Sequence, residues 1–80
     1  MDNKVDTCNI DRKNNIASIK FSCGFELRVE DDKIIYKINN QSTIKPNTEK
    51  NRLEMHEIVK KTYGESVWRL TLFFCIQTKI

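Results

Sequence analysis

Glycine and proline are almost missing from this chain of eighty residues: Gly24, Gly64 and Pro46 are the whole supply. A backbone cradle for phosphates needs several glycines in one loop, so the Gly-rich nucleotide-binding loops are excluded. Cysteine is sparse and odd in number. Cys8, Cys23 and Cys75 lie at least fifteen residues apart, unlike the dense frameworks of small secreted domains. The expected setting is therefore a reducing one, the cytoplasm of the producing or host cell. The same spacing lacks the paired knuckles of a structural zinc site. Histidine occurs once, as His56, with no metalloprotease helix or nucleophile elbow around it. Long apolar runs are absent too. The longest, Leu70 to Ile76, is far short of the ~18–20 residues that span a bilayer. No cationic stretch followed by an apolar core opens the chain, so neither a signal peptide nor a membrane partner is expected.

What remains is 39% hydrophobic and 31% charged, with a net charge of +3. At this size a chain buries only ~60–65% of its unfolded surface, which supports one core and a single α+β domain over residues 1–80. Ten Ile, ten Lys and eight Asn against four Arg and one Ala mark a gene rich in A/T codons, a bias shared by many bacteria, phages and viruses.

The strongest pattern is an alternation of period two. Ala17, Ile19, Phe21, Cys23, Phe25, Leu27 and Val29 hold the odd positions; Ser18, Lys20, Ser22, Gly24, Glu26, Arg28 and Glu30 hold the even ones. Alternate side chains of a strand point to opposite faces, so one face is apolar and one wet, as in an antiparallel sheet covered on one side. Gly24 marks a bend or bulge that splits or coils this run. Ile34, Tyr36 and Ile38 form a second strand, paired as a hairpin with Phe25–Glu30 through the acidic turn Asp31–Asp32. Lys4–Ile10 is a weaker strand, pairing with Ile16–Cys23 across the polar stretch from Asp11 to Asn15. Asn39–Asn47, turn-rich and holding Pro46, reads as a loop.

Asn47 or Thr48 caps one helix, Glu49 opens it, Lys60 and Lys61 occupy its last turn, and Gly64 ends it. Leu53, Met55, His56, Ile58, Val59, Thr62 and Tyr63 make its buried stripe. The chain then closes with a strand from Val67 to Lys79, its even positions Trp68, Leu70, Leu72, Phe74 and Ile76 facing the core. An exposed apolar edge of this kind templates aggregation, so the strand belongs inside the sheet, with Phe73 and Cys75 as a patch on the face away from the helix. The expected architecture is a curved, mainly antiparallel sheet of four to five strands with one α-helix packed on one face, in the order β-β-(β)-β-α-β.

Nothing in this inventory suits catalysis, and no cofactor or metal is expected. Glu26, Glu30, Asp31 and Asp32 cluster at the first hairpin, but a solvated turn accounts for them. Binding is the remaining class. The expected function is a small non-enzymatic protein-binding module, an inhibitor or adaptor of the phage or mobile-element kind acting on a host complex such as a nuclease or defence system. Its contacts would be Glu30, Asp31 and Asp32 at the hairpin tip, Arg69 with the Phe73 patch, and the loop from Asn39 to Asn47. Self-association through that patch or an unpaired edge strand is a variant. The alternative is a small nucleic-acid-binding protein. Residues 44–80 hold seven Lys/Arg against four Glu, and Lys45, Lys50, Arg52, Lys60 and Lys61 would meet phosphates. Yet Glu49, Glu54, Glu57 and Glu65 dilute that charge, and the isoelectric point of 8.8 lies just below the range usual for nucleic-acid binders.

Overall fold

A computed structural model describes residues 4–77. It shows an α+β arrangement: an open antiparallel sheet of five strands, followed by two helices on one of its faces. The strands are β1 (Val5–Asp11), β2 (Ile16–Phe21), β3 (Glu26–Val29), β4 (Lys33–Ile38) and β5 (Gln41–Pro46), and they pair strictly in chain order. The helices are α1 (Glu49–Tyr63) and α2 (Glu65–Gln77).

The alternating run from Ala17 to Val29 is two strands, not one. Gly24 donates its N–H to the Phe21 carbonyl and sits at φ 101°, and Phe21 N–H returns to the Phe25 carbonyl. This is the three-residue hairpin loop in which the last position takes a positive φ, which glycine adopts at little cost. A loop of three residues preserves parity. Phe21 and Phe25 therefore share a face, Ile19 lies opposite Leu27, and Ala17 lies opposite Val29. The alternation passes through the turn unbroken, which is why periodicity alone shows no gap there. β1 pairs with β2, and β3 with β4 around Asp31–Asp32, as expected.

Asn39–Asn47 is not a loop. Asn39 and Asn40 both have positive φ, 50° and 66°, and make a two-residue turn that returns the chain as β5, with Ile38 opposite Gln41 and Ile35 opposite Ile44. Asparagine tolerates this left-handed pair, and its twist matches that of the flanking strands. Pro46 ends an edge strand, where its missing N–H breaks no ladder.

α1 forms as expected, with Thr48 as its cap: Thr48 Oγ1 accepts from Asn51 N–H at 3.2 Å. Gly64, at φ 94°, donates to the Lys60 carbonyl at 3.1 Å and is the only residue between the helices. Of the expected stripe, Met55, His56 and Val59 are buried and Tyr63 half-buried; Leu53, Ile58 and Thr62 are exposed.

The larger correction is α2. Val67–Gln77 is helical where a strand was expected, while Lys79 lies outside the described residues. The order is thus β-β-β-β-β-α-α, with two helices rather than one. Width explains the second. Five strands ~4.8 Å apart are about 19 Å across between the outer two, and one helix of ~10 Å covers half of that. α1 takes the β4–β5 side: Glu54 reaches Lys45 of β5 at 3.9 Å, and Tyr63 Oη accepts from Asn39 N–H at 3.0 Å. α2, beside it, buries Val67, Thr71 and Phe74, spaced four and three apart on one helical face, in the same core as Ala17 and Ile19. The Thr71 hydroxyl is satisfied within the helix, donating to the Val67 carbonyl at 2.8 Å. Two helices still fall short of five strands. All seven residues of β1 are exposed.

Candidate interaction surface

The helical reading of α2 redistributes the residues expected to bind. Phe73 is 62% exposed, and Ile76 (68%) and Leu70 (43%) join it, three apart on successive turns. Cys75 points instead toward the junction of the two helices and is half-buried, so the Phe73/Cys75 patch on an open sheet face does not exist. Burial pushes the Cys75 thiol up to about 11, with Arg52 opposing in part, so it is no thiolate at neutral pH. Arg69 lies one turn before Phe73 and is held by Glu65 at 2.8 Å.

Between the helices runs an open groove of about 200 Å³, lined by Leu53, Leu72 and Ile76 with Cys75 and His56 at its base and Glu49 and Arg52 at one end. Leu53, 55% exposed, extends the α2 patch across this groove onto α1. A helical reading of the stretch after Gly64 contains the signal for it: with Val67, Thr71 and Phe74 facing inward, Leu70, Phe73 and Ile76 are left outside.

The acidic turn is more engaged than its sequence suggests. Glu30 bridges Arg28 at 3.0 Å and Lys33 at 3.9 Å, and its carbonyl accepts from Asn47 Nδ2 at 2.6 Å. The Asp32 carbonyl takes Asn47 N–H, and Asp31 accepts from Asn15 across the neighbouring turn at 3.3 Å. Asp31 and Asp32 remain exposed; Glu30 does not. Asn47 also accepts from Arg52, so one side chain ties the acidic turn to the first turn of α1. The turn thus lies at the same end of the molecule as the groove.

The basic residues do not converge. Lys45 is paired with Glu54, Arg52 is half-buried against Asn47, and Lys60 lies 4.4 Å over the Trp68 ring. Lys50 and Lys61 are exposed at opposite ends of α1, eleven residues apart, which is roughly 16 Å of helix.

His56 is 5% exposed, and its Nδ1 is buried without a hydrogen-bond partner. Burial first, and the Arg52 guanidinium second, hold its pKa below the ordinary 6.5. The unfolded chain therefore takes up this proton at a higher pH than the folded one, and His56 favours folding fully only above about pH 6.5. Stability should fall as pH drops from 6.5 through the lowered folded value, and His56→Gln should flatten that window in denaturant titrations. Asp11, whose carboxylate is stabilised by Asn14 hydrogen bonds, acts only below its ordinary value of 3.8, so the two effects separate. An unchanged slope between pH 5 and 6.5 in the variant would contradict the assignment.

Among the described residues no three His, Cys, Asp or Glu side chains are grouped to hold a metal ion, and no helix is long and apolar enough to cross a membrane. The chain matches no family model, no curated protein and no solved structure.

Proposed function

We propose that this chain is a non-enzymatic protein-binding module of the inhibitor or adaptor kind, whose α1–α2 groove and outer α2 face receive an apolar helix of a partner protein. One observation carries the reading: the exposed Leu53 and Ile76 line the groove from α1 and α2, and the exposed Phe73 and Leu70 follow Ile76 at three-residue spacing along α2. Single exposed leucines are ordinary, but contiguous apolar patches mark interaction sites. A shallow groove between two helices, apolar along its length and charged at one end, suits helix-in-groove recognition. Asp31 and Asp32, exposed at the same end, would favour a partner with basic residues flanking its apolar face. The only histidine is buried and held toward its neutral form, and Cys75 is held as a thiol, which fits binding better than catalysis.

The test uses Phe73→Asp with Ile76→Asp as a bait against the wild type, with Lys60→Ala and Lys61→Ala as a surface control. A stoichiometric partner, purified and titrated, should lose at least about tenfold in affinity to the first bait and little to the second. Equal binding by both removes the α2 face from the reading. Nucleic-acid binding is the weaker alternative, since three of its five cations are engaged within the fold. It predicts retention of random duplex at ~50 mM salt that collapses by ~200 mM.

A further inference from the structure

The two edges of the sheet are treated differently. β5 is flanked by α1, carries the Lys45–Glu54 pair and ends in Pro46, each a device that discourages another strand from docking. β1 has a single irregularity, the bulge between Val5 and Thr7. From Thr7 to Asp11 it is a regular strand with a free outer edge: its inner edge pairs with β2, and no other described strand pairs with it. Its register gives it one apolar side, because Val5 lies opposite Phe21, Cys8 opposite Ile19 and Ile10 opposite Ala17, all three partners being core residues. Yet that side stays partly in water, with Val5 40% and Ile10 38% exposed.

We infer that β1 is a dimerisation strand: two copies of this chain pair β1 with β1 antiparallel about a two-fold axis at Asn9, joining two five-stranded sheets into one of ten. A two-fold contact needs a self-complementary strand, and this one is. With Asn9 opposite Asn9, Cys8 of one copy faces Ile10 of the other, so apolar meets apolar on the core side. Thr7 faces Asp11, and Arg12 falls at the Asp6 end of the second copy, so opposite charges meet at both ends. A two-fold at Cys8 would instead set Lys4 against Arg12. The free N–H and C=O groups of both edges are satisfied by the same step, as in other strand-addition interfaces. One strand pair with its flanking side chains makes a small interface, so association belongs in the micromolar to millimolar range. Ile10 and Asn9 lie outside the α1–α2 groove, so this surface and the one proposed above are read in separate variants.

Sedimentation equilibrium from ~10 μM to ~1 mM, the span for interfaces of this size, should show a monomer–dimer equilibrium. Ile10→Lys, an exposed position whose change leaves the fold intact by circular dichroism, should weaken it at least about tenfold. Asn9→Cys in a Cys8→Ser background should give a dimer linked at residue 9 when oxidised glutathione is supplied. Directly opposed strand residues have Cα atoms about 4.5–5.5 Å apart, within disulfide reach. A chain that stays monomeric throughout overturns the inference, including one that accepts a strand only from another protein. So does a dimer indifferent to Ile10→Lys, or an Asn9→Cys variant that does not cross-link.

Discussion

Truncating Phe74 to alanine is expected to cost about 3–5 kcal/mol, while Ile76→Ala, two residues on, stays within about 0.5 kcal/mol. Phe74 is 5% exposed and sits in the core between α2 and the sheet, so removing its ring leaves a cavity that the strands below can only partly close. Ile76 is mostly in water and has little burial to lose. For a domain of this size the loss at Phe74 is most of a stability of roughly 4–8 kcal/mol, a fall of some 15–30 °C in Tm. Leu70→Ala should resemble Ile76→Ala. This trio discriminates between helix and strand, because a strand puts Leu70, Phe74 and Ile76 on one face with comparable costs. Guanidinium unfolding midpoints for the three variants read it out, and equal losses would restore the strand.

The second large effect is expected at Asn47, where alanine should cost about 2–3 kcal/mol. Its Nδ2 donates to the Glu30 carbonyl and its Oδ1 accepts from the Arg52 guanidinium, both partly buried. Alanine leaves a carbonyl and a cation short of a partner, which costs more than the net value of the bonds themselves. Thr48→Ala, the loss of an ordinary helix cap, should cost only about 1 kcal/mol. If thermal unfolding ranks Thr48→Ala as the more damaging, Asn47 is a capping residue and not the clasp between the acidic turn and α1.

Asn47 illustrates how far local sequence reaches. Its residue type marked it as a helix-start candidate beside Thr48. That its side chain spans to Glu30, seventeen residues earlier, follows from the β3–β4 turn and the end of β5 lying side by side. The first hairpins and α1 were legible for a related reason. Alternation in Ala17–Val29, the Asp31–Asp32 break and the cap residues of α1 each depend on neighbours within a few positions. β5 was hidden because Asn39 and Asn40 look like generic loop residues until both adopt positive φ.

The candidate surface was half legible. A strand reading of the last segment exposes Phe73 beside Cys75 and buries Leu70 and Ile76, whereas on α2 Cys75 faces the groove and Leu70 and Ile76, like Leu53 on α1, are exposed. A run such as Leu70–Ile76 is apolar on every side, so no period distinguishes strand from helix. The decision came from elsewhere in the chain. A meander already complete at β5 has no slot for a sixth strand beside β4, and its apolar face, about 19 Å across its outer strands, needs more cover than α1 provides. The sequence by itself therefore determined the antiparallel sheet, its covered face and the helix that starts at Glu49. The tertiary structure alone decided that the last apolar segment is a second helix lying on that face, because sheet width is a sum over all five strands and is written in no single one of them.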